Sequence, residues 1–120
     1  MEMIQAVGAL AALAQETRLG IYRLLVEAGP EGMAAGRIGE EMKLPPATLS
    51  FHLAHLARTG LIDSRQEGRF VIYSTDFQTM NVLVGYLTEN CCGGQSCAPA
   101  NLVTTKGKSN EKISRPRRRA

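Results

Sequence analysis

Leucine residues recur at helical spacing in the middle of the chain. Leu49, Leu53 and Leu56 stand at i, i+4 and i+7, which is one face of a helix with about 3.6 residues per turn. Two adjacent prolines before them suit the first turn of a helix, because the N–H group that proline lacks has no helical partner there. Gly60 fits the left-handed position that often follows a helix end. The pattern predicts a helix between Leu44 and Gly60.

A shorter apolar pattern precedes this helix and completes a helix-turn-helix. Ile38 and Met42 stand at i and i+4 within Met33–Met42, which predicts a first helix at Arg37–Met42. The face of the second helix away from its leucines carries small or polar side chains: Thr48, Ser50, His52 and His55. Such a helix can lie in the major groove of DNA with its N-terminal residues at base edges. The two helices alone do not establish DNA binding, because a pair of helices can also be buried as a helical hairpin that serves only packing.

A hairpin directly after the second helix favours DNA binding. Leu61–Arg65 and Phe70–Ser74 are short runs that read as strands, and Gln66–Arg69 is the turn between them. A hairpin in this position is a wing. Arg65 and Arg69 put cations at its base and tip, where phosphates or the minor groove would lie.

Three further helices are predicted around this motif. Met1–Ala14 has apolar residues at helical spacing, and its apolar face is too wide for one small core. Leu19–Ala28 reads as a core helix, with Thr17 as its candidate N-cap. A last helix is predicted from Asp76, as N-cap, through Asn90. Its apolar stripe consists of Phe77, Met80, Leu83, Val84 and Leu87. We expect the first and last helices to form a two-fold dimer interface, which would pair two recognition helices for a palindromic site.

Length and composition predict one domain with a polar tail. The chain has 120 residues, 44% of them hydrophobic. No apolar run approaches the roughly 20 residues of a membrane span, and no signal peptide precedes the first helix, so we expect a cytoplasmic protein without a membrane partner. Residues 1–100 carry seven Lys or Arg and ten Asp or Glu, whereas residues 101–120 carry seven and one. We predict a folded domain at residues 1–97 and a disordered basic tail at residues 98–120.

All three cysteines of the chain lie within seven residues, at Cys91, Cys92 and Cys97. Three thiolates are soft ligands, and zinc would prefer a closed set of four. Trivalent arsenic or antimony takes three sulfur ligands and keeps a lone pair, so this set is complete for it. Gly93-Gly94 lets the chain fold back to bring the third thiol in. Ordinary tail thiols, or a redox switch of Cys97 with one of the pair, are the alternatives.

The order of elements and several residues resemble the ArsR/SmtB winged helix-turn-helix repressors. The resemblance rests on Ala14–Leu19 and Ile21, on the series Leu49–Leu53, Leu56, Gly60–Ile62 and Arg65, and on Gly68, Arg69 and Tyr73. It spans about residues 1–97 and implies a dimer that releases its operator when an inducer binds. By this resemblance, the recognition helix meets the major groove at Thr48, Ser50, Phe51 and His52, and Arg69 lies on the wing.

Departures from the family pattern narrow the choice of inducer. Many members carry a cysteine pair on the first helix of the motif, where this chain has Ala34–Glu40 without Cys or His. Others carry a zinc site of Asp and His on the last helix, which has no His here. One metal on His52 and His55 would lack a third ligand, so we expect His52 at the DNA face and His55 partly buried or solvated.

The thiol cluster therefore becomes the predicted sensor. Arsenite-responsive members with a C-terminal Cys-Cys…Cys cluster look similar to this chain. The sequence favours an arsenite-responsive repressor that needs no cofactor, with arsenite or antimonite as the inducer. A sensor of oxidation or of Cd, Pb or Zn is the alternative. A thiol enzyme is disfavoured, because the chain has no Cys-x-x-Cys pair. The operator sequence, the arsenical preferred, the role of the tail and whether both subunits share the thiols stay open.

Overall fold

A computed structural model describes residues 1–94 of the chain. The chain divides into two units, Met1–Tyr86 and a second that begins at Leu87. The described elements, in order, are α1 (Met3–Leu13), α2 (Glu16–Ala28), β1 (Met33–Ala34), α3 (Ala35–Met42), α4 (Pro46–Arg58), β2 (Ile62–Glu67), β3 (Phe70–Thr75) and α5 (Phe77–Thr88). The prediction of a mainly helical, winged helix-turn-helix fold is confirmed. The predicted tail at residues 98–120 lies outside the described residues, and the boundary at residue 97 stays a prediction.

The core of the first unit joins all five helices to the sheet. Its largest fully buried side chains are Ile21, Leu25, Ile38, Leu53, Leu56, Leu61 and Leu83. The three leucines that predicted the second helix of the motif, Leu49, Leu53 and Leu56, are all buried. Burial of such side chains contributes roughly 25 cal/mol for each Å² of apolar surface removed from water. The recognition helix is therefore anchored along its whole length.

Helix α1 buries three of its alanines and exposes most of its large side chains. Ala6, Ala9 and Ala12 are at most 2% exposed, whereas Ile4 is 81% exposed and Val7 is 57% exposed. Methyl side chains let a helix approach its neighbours closely, so the alanine face suits a tight contact within the subunit. The wide apolar face that the sequence predicted is thus divided between the core and the surface.

Helix α2 begins three residues earlier than the sequence predicted, and its cap is a different residue. Gln15 is the N-cap, and its side-chain oxygen accepts a hydrogen bond from the backbone N–H of Arg18. The prediction of Thr17 as the cap was wrong, because Thr17 lies inside the first turn. Gly29 ends the helix with φ of +77°, a conformation that glycine adopts at little cost.

A short strand that the sequence did not predict ties the motif to the wing. Strand β1 pairs antiparallel with β3, with Met33 opposite Tyr73, and β3 pairs with β2, so the sheet order is β1-β3-β2. Gly32, with φ of +73°, leads into β1, and a Cβ there would stand 2.3 Å from the carbonyl oxygen of Tyr73. Two residues of strand have no readable periodicity, which is why the pattern missed them.

The wing and the last helix follow the prediction closely. Glu67 pairs with Phe70 across a two-residue turn that contains Gly68, with φ of +63°. Asp76 caps α5 as predicted, since its carboxylate accepts from the backbone N–H of Thr79 at 3.1 Å. The helix ends at Thr88, two residues before the predicted end. Within residues 1–94, no helix combines the length and apolar character needed to cross a bilayer.

Candidate DNA interface and thiol cluster

The turn of the motif is closed by its own backbone. Lys43 ends α3 in the left-handed region, with φ of +58°. The N–H of Leu44 then donates to the carbonyl of Gly39 at 3.0 Å, which satisfies a carbonyl at the helix end. Pro45 is the N-cap of α4 and Pro46 its first residue. This geometry holds α4 as a separate helix directly after α3.

The face of α4 away from the core carries most of the residues that the sequence placed at the DNA. Thr48, Ser50 and Phe51 are exposed, and Phe51 retains 60% of its accessible surface. His52 and His55 are both half-buried. The outermost line of the helix is formed by Ala47, Phe51, Ala54 and Arg58, all exposed. The exposed face is therefore less polar than the sequence pattern indicated.

A buried arginine contacts His52 on the side of the ring that faces the core. Arg18 is 9% exposed, and its Nε donates to the carbonyl of Ala12 at 2.8 Å. Its NH1 nitrogen lies 3.3 Å from Nδ1 of His52. Because a guanidinium only donates, Nδ1 must be the acceptor, and the proton of the neutral ring then lies on Nε2. Burial, and then the charge of Arg18, lower the pKa of His52. His52 is thus a neutral hydrogen-bond donor at neutral pH.

The two histidines of α4 both lie near the ring of Phe51. Its centroid lies 5.4 Å from that of His52 and 6.3 Å from that of His55, both in edge-to-face geometry. Burial, and then the charge of Arg18, also lower the pKa of His55. The aromatic contacts hold the Phe51 ring away from the core, in the position predicted to face DNA.

The two wing arginines have different surroundings. The guanidinium of Arg65 donates to Glu67 at 2.6 Å and to the carbonyl of Glu31 at 2.7 Å. Arg65 therefore braces the base of the wing against the segment before β1. Arg69, at the tip, has its guanidinium 5.9 Å from the centroid of the Phe70 ring, and Phe70 is 56% exposed. The contact of either arginine with DNA phosphate stays a prediction.

The cysteine pair directly follows α5. Cys91 and Cys92 are exposed, and their sulfur atoms lie 3.6 Å apart, beyond the roughly 2.05 Å of a disulfide. Asn90 and Cys92 have φ of +60° and +57°, and Gly93 has φ of +69°. The backbone at these positions therefore leaves the helical path of α5. Cys97, the third predicted ligand, lies outside the described residues.

The described part of the chain holds no complete metal site. Across residues 1–94, no group of three or more His, Cys, Asp or Glu side chains is close enough to bind one ion. His52 and His55 do not form such a site. Nδ1 of His52 faces Arg18, and Nδ1 of His55 is buried without a hydrogen-bond partner among these residues. A sensor site at the cysteines would need Cys97 or a ligand from a second subunit.

Sequence reasoning missed the position of Arg18. It lies 34 residues before His52 in the chain, so no local pattern links the two. The available signal was a charged residue directly before the helix that the pattern predicted as core, because an arginine drawn into a core needs hydrogen-bond acceptors nearby.

The fold and the exposed helix define a DNA-binding protein of the winged helix-turn-helix class. Residues 13–65 match a protein family described as a helix-turn-helix domain. The transcriptional activator HlyU of Vibrio cholerae is 31% identical over 88 residues, which cover 73% of this chain and 79% of HlyU. The chain belongs to the ArsR family of winged helix-turn-helix transcriptional regulators.

Solved structures of relatives agree with this assignment. A structure of HlyU is 30% identical with a TM-score of 0.59, covering 77% of this chain and 99% of that one, and a structure of reduced HlyU has a TM-score of 0.57. An ArsR-like regulator from Rhodococcus sp. RHA1 is 26% identical with a TM-score of 0.61, over 70% of this chain and 76% of that one. A structure described as a possible transcriptional regulator for arsenical resistance is 25% identical with a TM-score of 0.58, covering 66% of this chain and 79% of that one.

Proposed function

We propose that this regulator is a homodimeric repressor that releases its operator when trivalent arsenic, or antimony, binds Cys91, Cys92 and Cys97. The observation that carries the proposal is the pair of exposed sulfur atoms 3.6 Å apart. Two thiolates on one tetrahedral zinc, at Zn–S of about 2.3 Å, stand roughly 3.8 Å apart. The pair is therefore spaced for chelation of a single soft centre.

Ligand number favours arsenic over zinc. The chain has three cysteines, and three thiolates complete the coordination of a trivalent arsenic centre while leaving a zinc ion one ligand short. Left-handed backbone at Cys92 and Gly93 turns the chain so that a residue farther along can approach the pair. A structural neighbour described as a possible regulator for arsenical resistance is consistent with this choice.

The proposed dimer uses the exposed apolar faces of α1 and α5. Ile4 and Val7 on α1, and Phe77 and Val84 on α5, are each between 42% and 81% exposed. Residues of both helices line one open groove of about 520 Å³. A monomer gains nothing from leaving such side chains in water, whereas a two-fold interface would bury them and pair two α4 helices.

Inducer binding would act on this interface through the end of α5. Helix α5 ends at Thr88, and Cys91 follows three residues later. Gathering three thiolates around one centre fixes the backbone of residues 91–97, which pulls on the last turn of the helix. A coupling of ~1–3 kcal/mol between the two sites is typical and changes operator occupancy several-fold or more.

The decisive experiment is operator binding measured by fluorescence anisotropy, at fixed salt and under reducing conditions, with arsenite titrated in. We expect release at near-stoichiometric arsenite, and loss of that response in Cys91→Ser. Cys97→Ser should weaken the response without changing affinity for the operator. Ser96→Ala is the matched control and should respond like the unaltered chain. Full induction in Cys97→Ser would contradict a site of three thiolates.

Oxidation of the thiols is the second candidate signal. The exposed cysteine pair is open to oxidants, and a relative, HlyU, has a solved structure in a reduced form. Redox sensing would be favoured if peroxide lowered the affinity for the operator, a reductant restored it, and arsenite had no effect. Release by Cd, Pb or Zn instead of arsenite would favour soft-metal sensing.

The direction of regulation needs its own measurement, since HlyU is described as an activator. A reporter fused to the bound promoter should show low expression with the regulator alone and high expression after arsenite. If expression of the reporter required the regulator, the regulator would be an activator. The proposal of an inducer site at the cysteines would be unaffected by that result.

A further inference from the structure

The outer line of the recognition helix is apolar over its first three members and ends on an arginine. Ala47, Phe51, Ala54 and Arg58 stand at i, i+4, i+7 and i+11 and are all exposed. This line is opposite the buried Leu49, Leu53 and Leu56 and therefore points straight away from the core. Its centre is the Phe51 ring, 60% exposed.

The Phe51 ring is held in this outward position. His52 and His55 both lie near it in edge-to-face geometry, and His52 is itself fixed by the buried Arg18. Hence the ring is presented to the solvent instead of folding back onto the helix. Exposing a large apolar side chain in this way is unfavourable unless a partner covers it.

The composition of α4 excludes most of the usual readers of base edges. Guanine is read mainly by Arg or Lys, adenine by Asn or Gln, and cytosine by Asp or Glu. Helix α4, with the sequence PATLSFHLAHLAR, contains only one residue of these types, Arg58, at its last position. The hydroxyl groups of Thr48 and Ser50 can bond several bases and discriminate weakly.

The major groove offers one apolar group at its floor, the 5-methyl group of thymine. We propose that Phe51, flanked by the methyl groups of Ala47 and Ala54, reads thymine methyl groups and is the principal specificity determinant of the recognition helix. This inference rests on the DNA-binding part of the proposed function and is independent of the inducer.

Deoxyuridine provides a direct test, because it lacks only the methyl group and keeps every hydrogen bond of thymine. An operator selected from random DNA is synthesised with single thymines replaced by deoxyuridine, symmetrically in both half-sites. Affinity is measured in reducing buffer without arsenite. For one thymine per half-site, we expect about a fourfold loss per methyl group, or about fifteenfold for the pair, from the free energy of burying one methyl.

Variants assign the effect to a residue. Phe51→Ala should bind the thymine operator more weakly and become insensitive to deoxyuridine at that position, whereas Phe51→Leu should retain part of the sensitivity. Phe70→Ala, which removes the same side chain from the wing where it is 56% exposed, is the matched control and should keep the full sensitivity. Unchanged circular dichroism and thermal midpoint confirm that each variant is folded.

The outcomes separate the inference from the proposed function. Tight binding of the unaltered chain to every deoxyuridine operator would overturn methyl recognition and leave the regulator intact. Sensitivity that persists in Phe51→Ala would assign the methyl contact to another residue and also overturn the inference. Failure of the unaltered chain to select any DNA would refute the DNA-binding function itself.

Discussion

At the scale of single residues, Arg18 and His52 constrain each other. The guanidinium is buried against the Ala12 carbonyl and the His52 ring, so the cation is satisfied at one end by backbone and at the other by imidazole. This arrangement requires a neutral His52, because a protonated ring would face a second positive charge and lose its acceptor atom. Burial and the same arginine lower the pKa of His52 below its ordinary value of 6.5.

A pH dependence of stability follows from this pair. A histidine whose pKa is lowered by folding takes up a proton more readily in the unfolded state. The contribution to stability is therefore present above about pH 6.5 and is lost as the pH falls through the lower pKa of the folded state. The urea concentration at the unfolding midpoint should decrease when the pH is lowered from 7.5 to 5.5. His52→Gln should make this decrease smaller. An equal fall in both proteins would show that His52 does not carry the effect.

His55 is the comparison for this prediction. Its pKa is lowered by burial and then by the charges of Arg18, Arg58 and His52, so it contributes in the same direction. His55→Gln should leave the part due to His52 in place, and the double variant should show the smallest dependence on pH.

At the scale of elements, the junction before β1 leaves no room for an added methyl group at Gly32. Gly32 adopts φ of +73°, and an added Cβ would stand 2.3 Å from the Tyr73 carbonyl oxygen and 3.0 Å from Cγ2 of Ile72. Both contacts belong to β3, the central strand of the sheet. Pairing of β1 with β3, together with the bond from Arg65 to the Glu31 carbonyl, fixes the wing relative to the helix-turn-helix.

Gly32→Ala should therefore destabilise the protein. The unfavourable φ and the backbone clash add, and we expect a loss of about 2 kcal/mol or more in the free energy of unfolding. Gly36→Ala is the control, because nothing lies within 4 Å of a Cβ there and alanine favours α3 by up to about 1 kcal/mol. Urea unfolding checks both. A Gly32→Ala variant as stable as the unaltered chain would contradict the close approach.

At the scale of the whole molecule, the division of α1 into a buried alanine face and an exposed aliphatic face points beyond one subunit. Ala6, Ala9 and Ala12 satisfy the core of the subunit. Its large residues Ile4 and Val7 remain exposed, and Phe77 and Val84 of α5 are exposed as well. Assembly would thus determine both the stability of the regulator and the spacing of its two recognition helices.

A charge in this surface should separate the subunits. Ile4→Glu places a carboxylate where the side chain is 81% exposed, so it should not disturb the isolated fold, but it would be desolvated in a dimer. Sedimentation velocity should show a monomer with at least tenfold weaker binding to a palindromic operator. Val26→Glu, on α2 at 41% exposure, is the control and should remain dimeric. A dimeric Ile4→Glu variant would remove α1 from the interface.

The sequence by itself determined the local elements of this protein. Periodicity, proline placement and glycine positions predicted α4, and the cap at Asp76 predicted the start of α5, because these signals act within one or two turns of chain. The wing was equally readable from its strand residues and turn. The clustering of Cys91, Cys92 and Cys97 also needs no fold to be noticed, although its role as a sensor remains a proposal.

Only the tertiary structure decided which surfaces these elements present. Arg18 meets His52, and Arg65 meets Glu31, each across 34 residues, and such pairs leave no local pattern. Burial of the alanines of α1 instead of its larger residues depended on how closely the helices pack. The outward line through Phe51 likewise appeared once the core had taken the leucines of α4. Short-range signals determine what each segment becomes, whereas packing determines which of its faces is left to bind.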